Sequence, residues 1–275
     1  MNITSNNYKN DVMKSDEMKS DVMPLVLKMG GRLLQDDNAL DALLKVCAIL
    51  KQQYPLVLVH GGGDQVDQWL AKFGFNTEKL DGQRISPPEQ MPVIAGALSG
   101  AVNAHMVARA ALADLAPVGL TLAAGNSCRF DLTPNLGAVG VAKPQDATLL
   151  KALLAQGFTP VFSSIGHGQQ GQLLNVNADL AAAAICQLIQ GQLVLLTDVP
   201  GILDANGQLI TELTSAQAAE LVQQGVIKGG MKVKLDAALD TATVLQRSIT
   251  VAGWQQPDDL LKLMHQQAVG TRIIS

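Results

Sequence analysis

The segment Leu56-Val57-Leu58-Val59-His60-Gly61-Gly62-Gly63 decides the fold. Four apolar residues and a histidine run into three glycines, and a helix-period stretch opens behind them at Asp64. A strand that is apolar on both faces belongs inside a parallel sheet covered on two sides. The same pattern stands upstream in Leu25-Val26-Leu27-Lys28-Met29-Gly30-Gly31, and short apolar runs recur at 117–122, 160–164, 193–197 and 249–253. Helix-period segments separate them, at 37–53, 64–73, 88–113, 145–156, 177–190, 214–224, 230–246 and 257–266. This alternation predicts an α/β fold, a three-layer αβα sandwich around a central, mainly parallel β-sheet. The interval 123–142 is punctuated by Gly and Pro and reads as a β-hairpin excursion.

Composition narrows the class. The 275 residues carry 20 Lys plus Arg against 24 Asp plus Glu, a net charge of −4, and 48% are hydrophobic. That hydrophobic share excludes bulk disorder. No domain-wide basic excess exists to neutralise nucleic-acid phosphates. Cys47, Cys128 and Cys186 form no CxxC, and His60, His105, His167 and His265 form no HExxH, so neither a zinc site nor a disulfide framework is expected. A reducing, cytoplasmic compartment fits this pattern best. Residues 1–23 mix Lys with Asp and Glu without an apolar core and read as a solvated tail. The uncharged run between Asp179 and Asp198 is broken by Gln187, Gln190, Gly191 and Gln192. It reads as a buried helix, stopped by Gly191, and a buried strand, with no membrane span.

In open parallel sheets ligands bind beyond the carboxyl ends of the strands. There the chain places Lys28-Met29-Gly30-Gly31, His60-Gly61-Gly62-Gly63, Asn175-Val176-Asn177-Ala178-Asp179 and, opening another helix, Gly229-Gly230-Met231-Lys232-Val233-Lys234. Glycine amides before helix N-termini, with lysines alongside, suit a polyanionic ligand. The familiar phosphate motifs are absent: there is no GxxxxGK[ST], HRD or DFG. The one GxGxxG, Gly166 to Gly171, is followed by QLLNVN and reads as a turn. HGGG suits an esterase oxyanion loop as well, but no GxSxG elbow accompanies it.

Taken together, PLVLKMGG, LVLVHGGG, DGQRISP, GALSGAVN, VFSSIG, NVNAD, LLTDVPGILD, KGGMKVK and GTRI resemble the amino-acid kinase family from Pro24 to Ser275. The likeness lies with the branch that acts on N-acetyl-L-glutamate. It implies ATP-dependent phosphorylation of the side-chain carboxylate to N-acetyl-L-glutamyl 5-phosphate, a step of arginine biosynthesis. It also implies Mg2+ carried by the nucleotide, a homodimer, an acceptor-binding lobe over 24–190 and an ATP-binding lobe over 191–275. A carboxylate nucleophile is already ionised at neutral pH and needs no general base. The task is to bring two anions together, which calls for cations and dipoles.

Residue by residue, the resemblance makes Lys28 the stabiliser of the transferring phosphoryl group. It makes Lys234 the holder of the nucleotide phosphates, with Lys232 competing for that place, and Asp179 the organiser of both lysines. Asp179 would equally serve as a first-turn helix acid. Gly62, Gly63, Arg84 and Asn175 match the acceptor site. Asn175 or Asn177 could instead cap the helix that follows. Gly31 matches a phosphoryl contact. Asp198, Val199, Pro200, Gly201, Ile202 and Leu203, together with Val226, Ile227 and Lys228, match nucleotide-binding loops. His60 reads as a packed strand-end histidine. The segment Ala123–Ser127 has no acid where the family often carries Asp. Two rival readings stand beside this one: a sibling enzyme acting on another carboxylate, and a non-catalytic binder on the same fold.

Overall fold

The computed structural model describes residues 22–274, so the expected tail lies outside the described residues save for its last two positions. In chain order the elements begin with β1 (Leu25–Met29), α1 (Asp37–Lys51), β2 (Leu56–His60), α2 (Gly63–Lys72), β3 (Lys79–Leu80), β4 (Gln83–Arg84), α3 (Met91–Ala95), α4 (Asn103–Leu112) and β5 (Pro117–Thr121). They continue with β6 (Cys128–Leu132), β7 (Val139–Pro144), α5 (Thr148–Ala155), β8 (Thr159–Ser163), β9 (Ile165–His167), β10 (Leu173–Val176), α6 (Ala178–Ile189) and β11 (Gln192–Thr197). Then come β12 (Glu212–Thr214), α7 (Ser215–Gln223), α8 (Gly229–Leu245), β13 (Ile249–Gly253), α9 (Asp259–Met264) and β14 (Thr271–Ile274).

Eight strands form one sheet in the order β12-β14-β13-β11-β1-β2-β8-β5. From β13 to β5 every neighbouring pair is parallel, and only β14 runs against β13. Side chains of a strand point alternately to opposite faces, and the core divides accordingly. Leu25, Leu27 and Met29 of β1 pack with α1, α4 and α9, whereas Val26 joins the cluster built on α6 and α8. Lys28 therefore leaves the sheet on the α6 and α8 side. The expected three-layer sandwich is the observed one, and all six expected strands are present within one or two residues.

Three details differ from the sequence reading. The helix expected over 88–113 is assembled from a 3-10 turn at Pro88–Gln90, α3, a π-helical stretch Gly96–Val102 and α4. Gly96 and Gly100 lie within the widened stretch, where weak helix formers let the ladder relax. By length and composition the run Pro88–Leu112 is apolar enough to cross a membrane. Its Met91, Ile94, Leu98, Val102 and Met106 are buried against the rest of the chain. α6 stops at Ile189, and Gln190 takes the left-handed cap (φ 55°) in place of Gly191, whose N–H donates to the Cys186 carbonyl. Finally, the hairpin expected over 123–142 is present as the antiparallel pair β6–β7, but it extends into a second, four-stranded sheet, β6-β7-β10-β9. The GxGxxG pattern forms the β9–β10 turn, where Gly168 N–H donates to Gln172 O.

Candidate active site

Strand β1 delivers Lys28, α6 delivers Asp179 and α8 delivers Lys234 to one point above the carboxyl ends of the central strands. Lys28 Nζ lies 3.0 Å and Lys234 Nζ 2.7 Å from the same oxygen, Asp179 Oδ1. All three are buried, with 9, 7 and 6% exposure for Lys28, Asp179 and Lys234. Burial alone would raise the Asp179 carboxyl pKa, but the charges and hydrogen bonds of both lysines outweigh it and hold the carboxyl below its ordinary range. Burial and the neighbouring Lys28 pull the Lys234 ammonium down to about 8, against the opposing pull of Asp179. One anion between two cations leaves a net positive centre away from bulk water.

That centre borders a cavity of about 220 Å³, lined among others by Lys28, Gly31, Gly62, Gly63, Arg84, Asn175 and Asp179. The N-termini of α2 and α6 both open onto it, at Gly63 and Ala178, and add favourable dipoles for an anion. Asn177 caps α6, accepting from the N–H groups of Asp179 and Leu180, which resolves the choice between the two asparagines. Asn175 is thereby left to line the cavity, its Nδ2 donating to Ser86 Oγ at 3.0 Å. The Arg84 side chain is 8% exposed and so is no solvated loop residue. Its guanidinium pairs with Asp67 and donates to Thr77 Oγ1 (3.2 Å) and Gly63 O (3.1 Å).

Lys232 points away and pairs with Asp236 at 2.6 Å, one helical turn on, which settles the competition with Lys234. His60 is fully buried. Desolvation, only partly offset by the hydrogen bond with Gly61 O, pulls its imidazole down to about 4. Its Nε2 meets Asn103 Nδ2 at 2.9 Å, so this neutral ring is a packing and positioning element. Ala123–Ser127 does not contribute to the cavity wall.

The expected nucleotide loops lie outside this cavity but adjoin it. A Cβ placed on Gly31 would come 2.8 Å from Asp198 Oδ2, so cavity and loop touch there. Asp198 is held by Trp254, whose Nε1 donates to Oδ1 at 2.7 Å. The side chains of Ile202 and Ile227 are buried in the core. The amide of Ile202 donates to Thr271 Oγ1, and those of Val226 and Ile227 donate to Leu221 O. At these three positions the backbone amide is already committed within the chain. Sequence reasoning missed Ser164, Lys79 and Gly82, which also line the cavity, and Asp67, which holds Arg84. The signal for Lys79 and Gly82 was a hairpin: Asp81-Gly82 is a strong two-residue turn marker, and it places Lys79 opposite Arg84.

A two-faced parallel sheet whose strand ends gather two lysines around one aspartate beside a glycine-lined cavity suits a small polyanionic ligand. The chain matches the amino acid kinase family over residues 23–252 and belongs to it. It is 50% identical over 252 residues to an acetylglutamate kinase from Colwellia psychrerythraea, covering 91% of this chain and 96% of that one. An acetylglutamate kinase from Aeromonas salmonicida is 48% identical over 256 residues, 92% and 99% of the two chains. Among solved structures, N-acetylglutamate synthase from Neisseria gonorrhoeae, complexed with coenzyme A and N-acetyl-glutamate, superposes with a TM-score of 0.79 at 23% identity. That match covers 92% of this chain and 59% of the synthase. It speaks for the fold.

Proposed function

We propose that this chain transfers the γ-phosphoryl group of ATP to the side-chain carboxylate of N-acetyl-L-glutamate, forming N-acetyl-L-glutamyl 5-phosphate in arginine biosynthesis. The observation that carries the reading is the Lys28–Asp179–Lys234 cluster at the edge of a cavity that also holds Arg84 and Asn175. Kinship with relatives named acetylglutamate kinase, along nine-tenths of the chain, supports the acceptor.

In this reading Arg84, Asn175 and the Gly62–Gly63 backbone hold the acceptor. One carboxylate oxygen attacks the γ-phosphorus, the bond to the β-phosphate oxygen breaks, and ADP leaves with no net proton transfer. Lys28 and Gly31 meet the transferring group, and Lys234 meets charge gathering on the leaving oxygen. Asp179 keeps both ammonium groups aimed and stays ionised throughout. The segments Asp198–Leu203 and Val226–Lys228 flank the nucleotide. Among the described residues no group of three or more His, Cys, Asp or Glu could cage a metal. Asp179 is committed to two lysines, so magnesium travels on the phosphates and water. The working unit is a cytoplasmic homodimer that binds neither nucleic acid nor membrane. Residues 24–190 serve the acceptor and the dimer, residues 191–275 serve ATP, and both lobes share one sheet.

Hydroxylamine trapping tests the activity. ATP-dependent hydroxamate should form with N-acetyl-L-glutamate and not with free L-glutamate. Silence with both, in protein that binds ATP, would replace this reading by another carboxylate or by a binding protein.

A further inference from the structure

The β3–β4 hairpin turns through Asp81 (φ 50°) and Gly82 (φ 82°), two consecutive left-handed residues of a tight two-residue loop. Gly82 lines the cavity that holds Arg84 and Asn175. Its other side presses on a distant part of the chain. A Cβ built on Gly82 would stand 2.6 Å from both Gly229 C and Gly230 N, and 3.0 Å from Gly229 O. That peptide is the first turn of α8, the helix that carries Lys234 to Asp179. The first turn of α8 has no side-chain cap, and Gly82 packs closely against its opening peptide. One end of the contact thus belongs to the wall of the acceptor cavity, and the other to the element that positions the second lysine.

We infer that Gly82 is a positioning residue that joins the two ligand sites, because the hairpin tip lies flush on the Gly229–Gly230 peptide only when position 82 lacks a side chain. A ligand that seats the hairpin through Arg84 thereby also seats the start of α8. A nucleotide that orders the start of α8 supports the hairpin in return. Linkage makes that effect equal in both directions. The inference rests on the reading of the cavity as the acceptor site and of α8 as facing the nucleotide.

The test measures binding of N-acetyl-L-glutamate by calorimetry, with and without a saturating non-hydrolysable ATP analogue, in the intact chain. The wild type should bind the acceptor about tenfold tighter with the analogue present. Gly82→Asn keeps a residue type that tolerates the left-handed backbone but adds bulk at the contact. It should bring that factor close to one while leaving affinity for the analogue alone within about threefold, well inside the usual span of coupling. Gly74→Ala is the control for backbone strain, since Gly74 has φ 80° and no atom within 4 Å of an added Cβ. It should lower thermal stability without touching the coupling. A folded Gly82→Asn with wild-type coupling overturns the inference, as does a wild type with no coupling. Loss of both separate affinities with the coupling retained would make Gly82 merely structural. If the wild type forms hydroxamate from N-acetyl-L-glutamate while its coupling is flat, the inference fails alone. If it forms none, the underlying reading fails with it.

Discussion

At the scale of single residues, the site rests on charges held by other charges. Asp67 is the clearest case. Asp67, a third exposed, aims the buried Arg84 guanidinium, which would otherwise sample many rotamers. Asp67→Ala should raise the acceptor KM by about tenfold, the worth of one hydrogen bond to a charged group, with little change in kcat. A fall in kcat at unchanged KM would show instead that Asp67 serves the chemical step. Lys28→Ala should cut kcat by at least about a hundredfold in folded protein, as removal of a transition-state donor does. Near-normal turnover would remove Lys28 from its assigned role. Lys234, held near 8 by burial and by Lys28, loses its proton as pH rises. Affinity for ATP should therefore fall from about pH 7 to about pH 9, and the slope should flatten in Lys234→Arg, whose guanidinium stays charged. A slope unchanged in that variant would trace it to another group.

At the scale of elements, α6 shows how a helix end becomes part of a site. Asn177 Oδ1 accepts from the first free amides of α6, one of them belonging to Asp179 itself. Asn177→Ala should cost about 1 kcal/mol, read as a lower melting temperature. Because the cap also fixes the backbone of Asp179, kcat should drop with it, whereas a change in stability alone would confine Asn177 to capping. The main strands and helices were legible because buried parallel strands are continuously apolar and the helices between them keep their own period. The second sheet was not, apart from one hairpin. β9 and β10 are only three and four residues long, and what ties them into a sheet is the parallel pairing of β10 with the distant β7. The π-helical stretch was equally hidden, since its residues read as ordinary helix.

At the scale of the whole molecule, the cluster was foreseeable only because resemblance paired Lys28, Asp179 and Lys234 across more than two hundred positions. No local pattern joins them. The contacts of Asp198 with Trp254 and of Gly82 with Gly229 are equally long-range and carried no sequence signal. The three cysteines give a global probe of this packing. All are buried, and burial pushes each thiol up to about 12. A disulfide-exchange reagent at neutral pH should leave the folded chain unlabelled and react only as the whole chain unfolds. Rapid labelling of one thiol in native protein would reveal a local opening.

The alternation along β1 has a consequence for how such a chain can change. The pleat that sends Leu25, Leu27 and Met29 to one side of the sheet is the same geometry that sends Lys28 to the other. Losing a single residue from Leu25–Leu27 would invert every side chain between the deletion and the strand end, or else drag the strand by one step. Substitution of one aliphatic residue by another is therefore open to the strand, while changes in its length are not. Lys28 is aimed by an oil-and-water rule that knows nothing of phosphate.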